Sequence, residues 1–307
     1  MPFDIRQLRH AIAAADHGSF YRAARALDVE QSTLSRNIIR LERVIGVKLF
    51  NRSRSGVTTT IAGTHFIRSA RPMVASADKI VSAMRAAGQG RAGVLKIGHN
   101  TSVSAGNLRA SILAWQANNP DVDFESVEAD RGSLLAALDT AELDIAIMIG
   151  DTEHIGFRGE PFWSERVLVA MPASHALADR DMVHWTDLRS EGFILPAADP
   201  GPEICDMLTD RLSMLGARPD IRMSQTSRET VLSLLGAGQR MSLVCEGSAG
   251  VHYPDVVYRP VHGEHGSVLT VYSGYWSDHN PNPTLRRFLS FIKERHALSF
   301  DLPPKIQ

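Results

Sequence analysis

Cysteine is almost missing from this sequence. The two thiols, Cys205 and Cys245, stand 40 positions apart, which supplies neither a disulfide framework nor zinc-ligand spacing. No run of about 18 or more apolar residues occurs, so no segment reads as a membrane span. The start, Met1-Pro2-Phe3-Asp4-Ile5-Arg6, lacks the basic-then-apolar pattern of a secretory signal. Catalytic punctuation is equally sparse: there is no Gly-x-Ser-x-Gly elbow, no His-Glu-x-x-His and no phosphate-binding glycine loop. His262-Gly263-Glu264-His265 sets imidazoles beside a carboxylate, but on a Gly-rich turn without further ligands, and reads as a solvated loop. Together these absences predict a cytoplasmic protein that is not an enzyme, with no catalytic residues, no metal and no cofactor.

What the chain does have is a lopsided charge. A formal net charge of −1 hides 14 Lys+Arg against 6 Asp+Glu in residues 1–90, and 19 against 28 in residues 91–307. A basic head on an acidic body suggests that the head meets a polyanion and the body does not. At 307 residues with 44% apolar content, two or three domains are expected.

The head opens with Leu8, Ala11, Ile12 and Ala15 at helical spacing, stopped by Asp16-His17-Gly18. Ser19 suits the N-cap of a second short helix with Ala23, Ala24 and Leu27 inside. After the turn Asp28-Val29-Glu30, a third helix starts near Gln31, with Leu34, Ile38, Leu41 and Ile45 on one face. Ser32, Arg36, Arg40 and Arg43 fall on the other. Two short helices, the second with an Arg/Ser outer face, read as a helix-turn-helix. Val47–Phe50 and Val57–Thr60 read as strands of a small wing around the basic turn 51–56, where Arg52 and Arg54 suit phosphate or minor-groove contact. From Ile61, with Thr60 as cap, a long helix carries Phe66, Ala70, Met73, Ala77, Ile80 and Met84 as a heptad seam. Such a seam suits helix–helix dimerisation, and Pro72 within it predicts a kink or a lost hydrogen bond. Residues 88–93 form a hinge-like linker.

The body alternates strands and helices. Strands are expected at 94–98, 122–127 and 144–149, with helices over 104–119 and 131–140, which implies a parallel sheet. A second unit of the same kind starts near Arg166, with helices over 203–215 and 229–236 and a strand over 241–244. Two such lobes imply a cleft between them, a common home for a small ligand.

The head resembles the winged helix-turn-helix of LysR-type transcriptional regulators. The matching stretches are Leu8, Gly18-Ser19-Phe20, Ala23–Leu27, Gln31–Arg36, Leu41-Glu42, Leu49–Arg52 and Thr60–Gly63, in unbroken order. Asp144–Ile147, Pro172–Ala178, Asp187-Leu188 and Leu234–Gly238 look like landmarks of the family's effector domain. The resemblance implies an α/β fold with an all-α-plus-wing head: a winged helix-turn-helix over 1–60, and a dimerisation helix and hinge over 61–93. A two-lobed periplasmic-binding-protein-like effector domain follows, lobe 1 from 94–165 and 268–307 and lobe 2 from 166–267. The return strand falls at 268–274 and the last helix at 285–296. Ser32-Thr33 stand where the family usually has Pro, Gln239-Arg240-Met241 replace a Gly-rich step, and Cys245 replaces a strand-ending Pro.

By position in the family, Gln31, Ser32, Thr33, Ser35 and Arg36 correspond to base-contacting residues. Arg36 suits a bidentate guanine contact, with a phosphate clamp as its alternative, and Arg40 suits phosphate. Effector contacts are expected from the loop after the first body strand, Asn100, Thr101, Ser102 and Ser104, where a helix N-terminus would offer free amides to an anion. Pro196 through Gly201, Thr226 and Ser227 face it from the second lobe, and Arg228 could pair an effector carboxylate. The implied partners are duplex DNA bearing an interrupted palindrome, a small anionic effector with an aromatic carboxylate as one form, and further copies in a homodimer or homotetramer. RNA polymerase is a further partner open to such a regulator. A free solute-binding protein is the nearest rival, disfavoured by the attached basic head. Cys205 lies near where peroxide-sensing members carry a reactive cysteine, but no resolving thiol is near it, and both cysteines read as structural.

Overall fold

Both ends of the first helix are written into its local sequence. Asp4 Oδ1 accepts from Gln7 N at 2.8 Å while Gln7 Oε1 accepts from Asp4 N at 2.9 Å, a reciprocal cap that starts α1 (Ile5–His17). Gly18 ends it at φ 58°, a left-handed conformation natural to glycine. Ser19 caps α2 (Phe20–Ala26), and α3 (Gln31–Ile45) stops at Gly46. Leu34, Ile38 and Leu41 are fully buried among Ala11, Ala14, Ala23 and Ala24, whose small side chains let three helices pack closely. α1 buries more than its apolar stripe: Gln7 and His10 are inside too, and His10 Nδ1 meets Asn37 Nδ2 at 3.1 Å. The computed structural model describes residues 3–53, 56–150, 156–198 and 200–296, and the chain divides into two units, Met1–Ala86 and Ala87–Gln307.

The wing departs from expectation by three residues. β1 (Phe50–Ser53) pairs antiparallel with β2 (Gly56–Thr59), Phe50 opposite Thr59, so the strand starts at Phe50 and not at Val47, and 51–53 are strand rather than turn. The cause is Glu42, buried at the end of α3, whose Oε1 accepts from Leu49 N at 2.9 Å and Phe50 N at 3.2 Å. Those amides answer to a carboxylate and not to a ladder. α4 (Ile61–Gly88) starts where Thr60 Oγ1 accepts from Gly63 N at 2.9 Å, and it continues through Pro72 as one helix. Ion pairs Arg9–Asp78 and Arg71–Asp16 tie it to α1.

In the second unit, β3 (Gly93–His99) lies parallel between β4 (Val122–Glu128) and β5 (Ile145–Ile149), with α5 (Gly106–Asn118) and α6 (Arg131–Asp139) as crossovers. The chain then follows β6 (Arg158–Pro172), a strand of 15 residues. Farther on come β7 (Val183–His184), β8 (Gly192–Pro196), α7 (Gly201–Met214), β9 (Asp220–Ser224), α8 (Arg228–Leu235), β10 (Ser242–Cys245) and β11 (Val256–Gly263). β12 (Gly266–Ser267), β13 (Leu269–Trp276) and α9 (Pro283–His296) complete it.

The pairing of β6 builds two lobes on one strand. Up to Arg166 it pairs with β13, which also closes onto β5; from Val167 onward it pairs with β10 and β11. Because β13 enters antiparallel, the sheet is mixed and not purely parallel, with strand order β12-β11-β6-β13-β5-β3-β4. One core gathers Trp115, Phe162, Trp163, Tyr272 and Phe288; the other gathers Phe193, Leu195, Leu208, Leu212 and Met241. The expected hinge at 88–93 is anchored to α9: a Cβ at Gly90, φ 66°, would come within 2.6 Å of the Pro283 backbone. Arg287 also donates to Gly90 O at 2.9 Å. Among the described residues no helix is long and apolar enough to cross a membrane.

Candidate functional site

In the first unit the outer face of α3 is a row of polar side chains. Burial of Leu34, Ile38 and Leu41 turns Gln31, Ser32, Arg36 and Arg40 to solvent, with Thr33 and Ser35 half-buried beside them. Arg36 folds back along its helix, Nε donating to Ser32 O at 3.2 Å and Nη2 to Thr33 Oγ1 at 3.4 Å. These partners are weak, and a planar guanidinium resting on them is free to turn outward to an acceptor. From β1, Arg52 reaches across to Ser35 Oγ at 3.4 Å and lies 4.9 Å from the centre of the Phe20 ring, which fastens the wing to the helix. Arg54 lies outside the described residues.

Glu42 sets where the wing stands. Burial pushes its carboxyl up, yet the Leu49 and Phe50 amides and the Lys48 ammonium, 3.0 Å away, hold it below its usual range and so ionised. Sequence reading placed Glu42 only as a family landmark. Its place beside Leu41 in a buried face was the available signal.

In the second unit the lobes meet over a small cavity. Thr101, in the loop after β3, faces Pro196, Ile204, Arg228, Val231 and the β10 segment Leu243–Cys245, and the enclosed space of about 10 Å³ centres about one water. Two ion pairs cross between lobes. Arg228 Nη2 stands 2.5 Å from Glu128 Oε1, and Arg131 Nε stands 3.1 Å from Glu203 Oε1. Arg131 also donates to Ile149 O.

The loop itself is held from beneath. His99 Nδ1 lies 2.7 Å from Thr101 O and Nε2 2.8 Å from Ser126 Oγ. Burial lowers the pKa of His99, so the ring is neutral. A carbonyl can only accept, so Nδ1 carries the proton and Nε2 accepts from the serine. Asn100 Oδ1 accepts from Ile149 N at 3.3 Å, Asn100 Nδ2 is buried without a partner, and the buried Thr101 hydroxyl lies beside that of Tyr272.

The expected anion site at the helix start is taken by the protein. α5 begins at Gly106, two residues later than predicted, because Ser104 Oγ and Ala105 N both donate to Gly247 O, at 2.7 and 2.9 Å. Asn107 N donates to Glu165 Oε1 at 2.6 Å, and Gly247 N to Glu165 Oε2 at 3.1 Å. A Cβ at Gly106, φ 72°, would lie 2.6 Å from Glu165 Oε1, so glycine is required there. Burial raises the pKa of Glu165, and its carboxyl already holds Asn107 N at the helix start where a ligand was expected. Burial also pushes the Cys245 thiol up to about 12, which withholds the thiolate that oxidation needs.

Residues 5–64 match the family model described as the bacterial regulatory helix-turn-helix protein, lysR family, and residues 88–297 match the LysR substrate binding domain. The chain belongs to the LysR family. It is a LysR-type transcriptional regulator with an effector-binding domain. Among its relatives is the HTH-type transcriptional regulator XapR of Escherichia coli K12, 29% identical over 84% of this chain and 87% of that protein. The crystal structure of CbnR, a LysR family transcriptional regulator, has a TM-score of 0.83 at 23% identity and covers 94% of this chain and 100% of that one. Full-length CbnR complexed with its target DNA has a TM-score of 0.75 at 23% identity, covering 95% and 99%.

Of the effector contacts expected in this LysR-type chain, Thr101 and Pro196 line the cavity, and Asn100 does not. Ser102 and Ser104 bond each other at 3.1 Å. Gly201 packs on the Pro196 carbonyl, where a Cβ would come within 1.7 Å. Thr226 is exposed and bonds Ser224 Oγ at 2.9 Å, while Ser227 caps α8 by accepting from Thr230 N at 3.2 Å. Asp199, inside the expected 196–201 loop, lies outside the described residues. Arg131, Glu128 and Glu203 were not anticipated: pairs 72 and 100 positions apart leave no local signature.

Proposed function

We propose that the chain reads an interrupted palindrome in duplex DNA as a dimer or tetramer, and that a small anionic effector in the interlobe cleft switches its activity. The observation that carries this reading is the division of α3, whose Leu34–Ile38–Leu41 face is buried while Gln31, Ser32, Arg36 and Arg40 are in solvent. Arg36 reads a guanine edge, Gln31, Ser32, Thr33 and Ser35 complete base contact, and Arg40, Arg52 and Arg54 neutralise phosphates. The division of labour is DNA reading by 1–60, pairing by 61–93, and effector capture between a lobe of 94–165 with 268–307 and a lobe of 166–267. Exposed Met73, Ile80 and Met84 on α4 support pairing, since they offer an apolar stripe to a second copy. The likeness to full-length CbnR complexed with its target DNA supports DNA as the partner. A chromosomal target puts this work in the cytoplasm, with RNA polymerase met at the promoter.

Selection from random duplex DNA, run with the full-length protein and with Arg36→Ala, tests the reading. Enrichment of an interrupted palindrome that relaxes in the variant is expected. Enrichment of no sequence at moderate salt would defeat it.

A further inference from the structure

Arg228 and Glu128 form an unequal pair. The Arg228 side chain is 11% exposed, at the start of α8, whose Val231 and Leu232 pack into the lobe beneath. The Glu128 side chain is 49% exposed at the end of β4, so its carboxylate reaches in from the rim. Glu229 Oε1, 3.8 Å from Arg228, is 63% exposed and offers a weaker alternative. A buried guanidinium deprived of a partner is costly, whereas an exposed carboxylate returns to water at little cost. The cation is fixed and the anion is exchangeable.

Arg228 also reaches the cavity, and among the described residues lining that cavity it is the one charged group. On the same cavity, from the other lobe, stands Thr101, 3% exposed, with Tyr272 beside its hydroxyl. The rest of the lining is mainly apolar, with Pro196, Pro200, Ile204 and Val231, and adds the side chains of Ser242 and Ser248. A guanidinium and hydroxyls lining one mainly apolar cavity are complementary to one carboxylate on a compact apolar body.

We infer that Arg228 is the anchor for the effector's carboxylate, and that Glu128 occupies it as an internal stand-in until the effector arrives. The inference rests on the cleft being the effector site. The exchange replaces one carboxylate with another on an arginine already stripped of water. It moves the cross-lobe tie from Arg228–Glu128 at the rim to Arg228–ligand–Thr101 within. Since about 10 Å³ is open, the incoming body also needs the lobes to part, and losing the Glu128 tie permits that. Glu128 is therefore a competitor, and its removal raises affinity for carboxylates.

The test is titration calorimetry on the full-length protein with benzoate, cyclohexanecarboxylate and 3-methylbutanoate, each beside its amide. Wild type is compared with Glu128→Gln and with the double variant Glu128→Gln/Arg228→Gln, which leaves no orphan charge. Glu128→Gln is expected to bind carboxylates about tenfold tighter, as for a site freed from a nine-tenths-populated blocked state. Amides should be unaffected, and the double variant should lose the preference for carboxylate over amide. Hydrogen exchange over 228–235, faster in ligand-free Glu128→Gln and restored by carboxylate, is the second readout. Equal carboxylate affinity in wild type and Glu128→Gln, or a preference surviving in the double variant, overturns the anchor and leaves the effector site standing. If no carboxylate binds either protein the anchor is overturned, and an amide that still alters the DNA footprint keeps the effector reading.

Discussion

The faces offered to ligands by the two units treat their cations in opposite ways. In the head, Arg36 and Arg40 stand in solvent on one face of α3. In the body, Arg228 and Arg131 are drawn into the cleft and paired with Glu128 and Glu203 of the facing lobe. An exposed cation trades its counterions for phosphates, so its affinity follows salt. A buried one is committed to a partner and yields only to a competing anion. DNA is a long, stiff ligand that a single helix can meet. A small effector must be surrounded, so its site is assembled from segments far apart in the chain.

The largest effect that would sharpen this contrast is at Glu42. Glu42→Ala strands two buried amides, at about 1–3 kcal/mol each, and should lower the stability of the head by about 3 kcal/mol. Differential scanning calorimetry should show the head's transition falling while the body's transition holds; a uniform shift of both would break the contrast. Next in size is the exposed stripe on α4: Ile80→Glu/Met84→Glu should yield monomers by analytical ultracentrifugation and weaken a full palindrome about 100-fold, the loss of an intramolecular second contact. Arg36→Ala should cost about 1–3 kcal/mol at one base position and leave the others alone. Arg40→Ala should weaken all sequences alike and reduce the salt slope by about 1 in a fluorescence-anisotropy titration.

A smaller effect belongs to the body alone. His296 is buried against Trp163 with Nε2 2.9 Å from Ser111 Oγ, and burial, aided by Arg295, lowers its pKa from 6.5 to about 4. A ring that stays neutral in the folded state favours folding above pH 6.5. That advantage fades as the pH falls from there toward 4, because the unfolded chain takes up the proton first. Urea melts should lose about 1–2 kcal/mol of body stability between about pH 6.5 and pH 5, and His296→Gln should flatten the decline. Smallest of all, Cys205→Ser should change stability by less than about 0.5 kcal/mol and leave any peroxide response unaltered in a reporter assay.

The head was legible because its signals are local. Helix faces, the Gly18 and Gly46 stops and the Thr60 cap all depend on neighbours within one or two turns. The wing's start was misplaced where the deciding contact, Glu42 to Leu49 and Phe50, spans a tertiary turn. In the body the alternation of elements was legible, but not the antiparallel entry of β13 nor the first turn of α5, which Glu165 and Gly247 fix from distant segments. Thr101 could be found by its loop. Arg228 could be named from the sequence as a partner for a carboxylate, but nothing local showed that Glu128 stands against it.

The seat of β13 between β5 and β6 has a consequence for synthesis. β5 is complete at Ile149, and the strand that covers its open edge begins at Leu269, 120 positions later. At about 5–20 residues per second, a ribosome leaves that edge unpaired for about 6–24 s. All five residues of β5 are buried in the finished sheet, so during that interval an apolar edge strand lies open to pairing with another chain. The head is finished long before. Each nascent molecule thus carries a complete DNA reader ahead of an unsealed sensor, and chaperone demand in this protein falls on the sensor.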